Sequence, residues 1–368
     1  MPFCRGIPYS EMILIVLAFE FFIAILNRKN IFDFKYFVPI LLIIVIELVD
    51  YLYYDIFSDV IIYLTVYMLF VSFAVFNKIF SGYERSALIM YSICTFLAIF
   101  SVIIREVNTY GLDYILTYNI RFGANVEGLK VTNFNANELG LYCSVAVALL
   151  LVLNYNKKNI FLFIFSIFLS ILGIVSISRT YILVIVILWL LYLLTSGLSL
   201  VRVGLIIFVF FFSFLVLFNL LPEFMDWIFN YLGERGQEVT EDGFGGRFSL
   251  ISFYNTKIFD NVWSFLFGYS QKYLQITHAF EASHNAIQET VVCWGITGLI
   301  IGIYWIVLLL KSSIVKSAGG KIKFFYFVPI IIFLLFVQTI QLFTMNCYLF
   351  ALLISIIPLS MKKGEVNG

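Results

Sequence analysis

Ser283–Leu310 reads "SHNAIQETVVCWGITGLIIGIYWIVLLL". Between 286 and 310 the only charged side chain is Glu289, and the rest is apolar, aromatic or small. At about 1.5 Å of rise per residue such a run exceeds the roughly 30 Å hydrocarbon core of a bilayer. It therefore predicts a membrane-spanning helix, and the same pattern recurs along the chain. Spans are expected at 10–26, 37–54, 60–79, 87–104, 137–153, 159–177, 180–197, 202–221, 286–310, 325–343 and 345–360.

Composition supports this solvent. Hydrophobic residues make up 62% and charged residues only 12%, with a mean hydropathy of +1.01. A soluble domain carries about 25% charge, so a water-facing surface cannot be built from this chain. The expected fold class is all-α: a polytopic transmembrane helical bundle of eleven spans, with twelve the upper reading. A β-barrel is excluded, because its strands would be segments of about ten residues of alternating polarity. The stretch "MPFCRGIPYSEM" leads into a span without a small-residue cleavage site, so no cleavable signal is expected. A net charge of +1 points to no nucleic-acid partner. The five cysteines, Cys4, Cys94, Cys143, Cys293 and Cys347, lack paired spacing and read as small packing residues.

Charge then orients the chain. The loops at 27–36, 78–86, 154–158, 198–202 and 311–324, with the C-terminal tail, are short and carry fourteen of the 23 basic residues. Short basic loops face the cytoplasm, which puts the N-terminus outside and the C-terminus inside. The alternate side holds two long loops, 105–136 and 222–285, within what reads as a single membrane domain over 1–368. Loops beyond about 15 residues are usually functional or disordered, and the second is rich in Trp, Phe and Tyr. In "FSLISFYNTKIF", Leu250, Ile251, Tyr254 and Ile258 fall on one side at helical spacing, with Asn255 and Lys257 on the other. That pattern predicts a helix lying in the membrane interface.

The outer side also holds the chemistry. His284, one of two histidines, stands just before the ninth span, where an imidazole suits proton transfer near neutrality. Asn285 and Gln288 read as a capping box, the ordinary role for an Asn-x-x-Gln pair, or else as a sugar contact. Glu289 lies inside the span and needs a partner or a water-filled cavity. It orients the histidine, binds a sugar hydroxyl, or snorkels to the surface. Arg179 sits in a tight outer turn, Arg247 opens the interfacial helix and Arg121 belongs to the first long loop. Guanidinium groups bind phosphate bidentately, so these three are candidates for an anion site; the alternative is contact with lipid headgroups. In "NFNANELGLYC", Asn137 and Glu138 are candidates for sugar hydroxyls, although Asn before a helix is also common capping. Glu20, Glu47 and Asp50 lie in early spans and read as scattered rather than as a relay. No metal-ligand cluster is visible, and no cofactor is expected.

Taken in order, a short "SRT" turn before a span, then "GGRFSLISFYNTKIFDNVWSFLFGYS", then "SHNAIQETVVCWGITGLI" resembles the O-antigen ligase and O-antigen or capsular polysaccharide polymerase superfamily. The positions that carry the resemblance are Arg247, Gly268, His284, Asn285, Gly295 and Gly298. The resemblance implies a bacterial inner-membrane glycosyltransferase that uses polyprenyl-diphosphate-linked oligosaccharides without a cofactor. His284, Arg179 and Arg247 would be catalytic. Arg121, Asn285, Glu289, Asn137 and Glu138 would bind substrate. Membrane lipids, a chain-length regulator and a flippase are the further partners it implies. The expected activity is repeat-unit polymerisation, with ligation of the glycan to another acceptor as the alternative. A transporter of lipid-linked sugars is the rival from another class, and it would show broken spans and polar groups at mid-membrane.

Overall fold

The computed structural model describes residues 34–55, 59–118, 122, 136–156, 158–176, 178–196, 247–270, 285–314, 324–337 and 347–361, with isolated positions at 22, 26, 204, 226 and 230. For 59–63, 156, 247–250 and 347–348 only the backbone is described. Every regular element among these residues is a helix. Among the described residues, four helices are long and apolar enough to cross a membrane: Phe34–Tyr54, Glu84–Tyr110, Ala136–Tyr155 and Ala286–Ser313. Such helices fit a membrane-embedded helical protein. The expected spans at 10–26 and 202–221 lie outside the described residues.

The chain divides into two units. The first contains α1 (Phe34–Tyr54), α2 (Asp59–Phe76), α8 (Arg247–Ile258), α9 (Val262–Phe267), α10 (Ala286–Ser313) and α12 (Cys347–Ile356). Here α1, α2 and α10 pack against one another, α8 and α9 lie on α10, and α12 packs on α2. Trp305 of α10 donates its indole N–H to Ser72 of α2 at 2.8 Å. That bond satisfies two polar groups within an apolar layer, where an unmade bond would be costly.

The second unit holds most of α3 (Glu84–Tyr110), then α4 (Leu112–Thr117), α5 (Ala136–Asn156), α6 (Ile160–Leu172) and α7 (Arg179–Thr195). Helix α5 is its interior: from Leu139 to Leu153 nearly every side chain is buried. Around it α6 and α7 form a tight hairpin through a 3₁₀ turn, Gly173–Ser176. The Tyr181 hydroxyl donates to the Ser170 carbonyl at 2.7 Å, and the Trp189 indole donates to the Ser170 hydroxyl at 3.0 Å. Only glycine suits position 173, because a Cβ there would meet the Tyr181 ring and the Cys143 sulfur.

Two boundaries differ from the hydropathy reading. The fourth span, expected to end at 104, continues as helix to Tyr110, and after Gly111 (φ 84°) α4 follows. The loop expected from 105 thus begins as helix. Hydropathy marks where lipid ends, whereas a helix ends where its backbone finds a cap or a break. Likewise the span expected from 325 starts with a 3₁₀ turn, Phe324–Phe327, before α11 (Val328–Val337). Helix α12, where the last span was expected, closes in a third 3₁₀ turn, Ile357–Ser360, with Pro358 near its start.

Candidate functional site

The helix expected over "FSLISFYNTKIF" is present as α8, and a second short helix, α9, follows it. Tyr254 and Ile258 are buried and Asn255 is exposed, as the helical spacing predicts, whereas Lys257, expected on the outer side, is half-buried. Ile251, expected on the inner side, is 38% exposed. Helix α9 begins with a reciprocal cap: the Ser264 N–H donates to Asn261 Oδ1 at 2.8 Å, and the Asn261 N–H donates to Ser264 Oγ at 3.1 Å. The Trp263 ring of α9 stacks on Tyr53 at the end of α1, with centroids 5.4 Å apart.

Helix α10 is broken near its first third. Trp294 (φ −133°, ψ 16°) and Gly295 (φ 66°, ψ −174°) leave helical geometry. The break is filled by the end of α9. The Tyr269 N–H donates to the Val292 carbonyl at 2.9 Å, and the Ser270 N–H donates to the Cys293 carbonyl at 3.0 Å. Two glycines permit this approach. A Cβ on Gly268 (φ 87°) would meet the Cys293 and Trp294 backbone, and one on Gly295 would meet the Leu266 and Phe267 backbone. Carbonyls released by the break are thus re-satisfied by the docked segment, which is how membrane helices tolerate such interruptions.

The start of α10 is capped by Asn285, whose Oδ1 accepts from the Gln288 N–H at 3.0 Å. The Gln288 side chain does not return to the cap as a capping box requires. Its Nε2 donates instead to the Ile251 carbonyl and to Asn255 Oδ1 of α8, both at 3.1 Å. The amide N–H groups thus strap α8 to α10, while Gln288 Oε1, the atom a capping box would use, is buried without a partner. His284 precedes this cap and lies outside the described residues. Arg121 also lies outside them, and of Arg247 only the backbone position, at the first residue of α8, is described.

Arg179 is exposed at the first position of α7, after Ser178, whose Oγ accepts from the Tyr181 N–H. A cation there opposes the positive end of the helix dipole, so helix formation alone gives no reason for it. Asn137 and Glu138 occupy the first turn of α5, Asn137 half-buried and Glu138 buried. Arg179, Asn137 and Glu138 belong to one unit, and Arg247, Asn285 and Glu289 to the other.

Glu289 is fully buried, and neither of its carboxyl oxygens has a hydrogen-bond partner. Glu47 and Asp50, three residues apart on α1, are also buried. The Trp294 indole at the break donates to Glu47 Oε1, which leaves Glu47 Oε2 and both Asp50 oxygens without partners. Glu47 and Asp50 thus stand together on α1, and Glu47 meets the break in α10 through Trp294. The spacing of Glu47 and Asp50 already places them on one helix face, whereas the bond from Trp294 to Glu47 depends on which helices pack. A carboxylate at a span centre costs about 2.5–3.5 kcal/mol. Three without compensation would come to roughly 8–10 kcal/mol, comparable to a domain's whole net stability.

No protein-family model, curated protein or solved structure matches the chain.

Proposed function

We propose that the protein is a membrane glycosyltransferase of the repeat-unit polymerase type. It would act on polyprenyl-diphosphate-linked oligosaccharides at the outer face of a bacterial inner membrane. The observation that supports this reading best is the clamp between α8–α9 and the broken span α10. It holds a helical part of the long loop against a span, immediately beside the position of His284.

In this reading His284 takes the proton of an acceptor hydroxyl on one lipid-linked repeat unit. The freed oxygen attacks the anomeric carbon of the chain carried by a second lipid. The bond from that carbon to the diphosphate oxygen breaks, and the polyprenyl diphosphate leaves with the electron pair. Arg179 and Arg247, with Arg121, neutralise the leaving group, and cationic donors are most effective where water is excluded. Asn137, Glu138 and Asn285 contact sugar hydroxyls. Glu289, buried in the first turn of α10, is a further candidate contact to a sugar hydroxyl.

The test is purified protein in proteoliposomes with one synthetic polyprenyl-diphosphate repeat unit. A ladder of longer glycans should form without other proteins, and His284→Ala should abolish it while the protein still inserts. Normal ladders from that variant would remove His284 from the reaction. A transporter of lipid-linked sugars is the second reading, favoured by the broken span and its buried acids. It predicts movement of the substrate between leaflets and no ladder. Ligation to a different acceptor predicts transfer only when that acceptor is supplied.

A further inference from the structure

Helix α2 closes on a residue that its backbone does not favour. Lys78 has φ 49°, the left-handed region where glycine is usual after a helix. The bonds around it are those of a Schellman closure. The Lys78 N–H donates to the Val75 carbonyl and the Ile79 N–H to the Ala74 carbonyl, both at 3.2 Å. A cation near a helix C-terminus gains from the helix dipole. A lysine one turn earlier would have that gain without the unfavourable backbone, yet the last turn of α2 holds no basic residue. Helix formation accounts for the turn but not for a lysine in it.

The lysine stands at a cleft. Helices α2, α10 and α12 pack on one another, and at their ends lies an open cleft with about 350 Å³ of empty space, continuous with the outside. Ala74, Val75, Leu353 and Ile356 line it with hydrocarbon, and Lys78, Ser81, Ser313 and Ser360 line it with polar groups. The Ser313 and Ser360 hydroxyls donate to the Leu309 and Ile357 carbonyls, at 2.9 and 2.8 Å. The donors a ligand would meet are the Lys78 ammonium and the Ser81 hydroxyl, both on exposed residues. Charge at this end of the first unit has one sign. Lys78 and Arg85 follow α2, residues 311–322 hold three lysines and no acid, and Lys362 and Lys363 follow Met361 directly. Of the acids in these stretches, Glu84 is buried and accepts the Gly82 N–H at 2.8 Å, and the other is Glu365. Apolar walls with a basic mouth at the ends of apolar helices match a lipid, whose tails are hydrocarbon and whose phosphate lies at that depth.

We infer that the cleft at the ends of α2, α10 and α12 is a binding site for an anionic phospholipid. The headgroup phosphate takes the Lys78 ammonium and the Ser81 hydroxyl, and the first acyl carbons lie on Ala74, Val75, Leu353 and Ile356. Short basic loops face the anionic inner leaflet, which is where such a lipid is supplied. The inference does not rest on the proposed glycosyl transfer, because it concerns the opposite end of the first unit from His284 and needs no sugar.

The test uses the purified full chain in a neutral detergent, and native mass spectrometry follows the lipid retained as phosphatidylglycerol is added. The wild-type protein should retain phosphatidylglycerol in preference to phosphatidylcholine. Lys78→Gly should weaken half-saturation about fivefold, the worth of one basic group at a lipid surface. Glycine suits the left-handed turn, so the variant should fold; if it does not, Lys78→Asn, which also tolerates that region, takes its place. Lys158→Ala, at an exposed lysine of another short basic loop, should leave retention unchanged. Equal retention by the wild type and the Lys78 variant overturns the proposal. An equal loss in Lys158→Ala overturns it too, because it would show diffuse attraction to basic loops. Glycerol 3-phosphate, a phosphate headgroup without tails, should not displace the lipid; full displacement would make this a site for a soluble phosphate and overturn the lipid assignment. Because no sugar enters the assay, its failure leaves the polymerase reading untouched, and a missing glycan ladder leaves the lipid site untouched.

Discussion

At the scale of single residues, two glycines set the geometry of the site. Gly268 and Gly295 both have positive φ, and each faces the other segment's backbone with no room for a Cβ. Gly295→Ala therefore combines an unfavourable backbone region, costing about 1–3 kcal/mol, with a clash against Leu266. Gly302, on the same helix, has open space around it, and alanine there should be neutral or stabilising by about 0.5–1 kcal/mol. Thermal unfolding of the two variants in nanodiscs checks the contrast; equal stability would mean that the close approach at 295 is not maintained. Two tryptophans give a second comparison. Trp294→Phe removes the donor to a buried carboxyl and should cost about 1.5–3 kcal/mol. Trp305→Phe removes a donor to a serine hydroxyl and should cost about 1 kcal/mol. Reversed order in chemical unfolding would show that the Glu47 bond contributes less than the Ser72 bond.

At the scale of elements, the contact that matters is between a loop helix and a span. Gln288 joins α8 to α10 through two hydrogen bonds, and Asn285 caps α10 beside it. Gln288→Ala should release α8, and limited proteolysis within 247–258 should become faster while the spans stay protected. Asn285→Ala should cost about 1 kcal/mol through loss of the cap, without the same gain in cleavage. Similar proteolysis in both variants would argue against a specific strap. The amphipathic spacing of α8 was legible from residues 250–258, because one face of a short helix is a local property. The partner of Gln288 was not, since a capping box and an inter-helix strap use the same residue pair. Only the position of Asn255 on α8 decides between them.

At the scale of the whole molecule, the charge bias of the short loops assigns the end of α1 and the start of α10 to the same side. Within the first unit those ends do meet: Tyr53 stacks on Trp263, and Glu47 takes the indole bond of Trp294. That side is the outer one if basic loops stay inside. Single-cysteine labelling with a membrane-impermeant thiol reagent on intact cells checks it. Thr256→Cys should react from outside, and Lys158→Cys only after permeabilisation. The opposite pattern would invert the topology and remove the outer-face site.

The sequence alone determined that this chain is helical and built for lipid, and roughly where its four long apolar helices run. Hydropathy and helix period are local sums over neighbouring residues, and they survive any arrangement of the helices. Tertiary structure alone decided that α10 breaks at Gly295, that the segment after α9 fills the break, and that Trp294 bonds to Glu47, far earlier in the chain. Those outcomes depend on which backbones approach closely enough to exclude a Cβ. They also depend on where buried charge must be neutralised, and neither quantity is defined until the helices have packed.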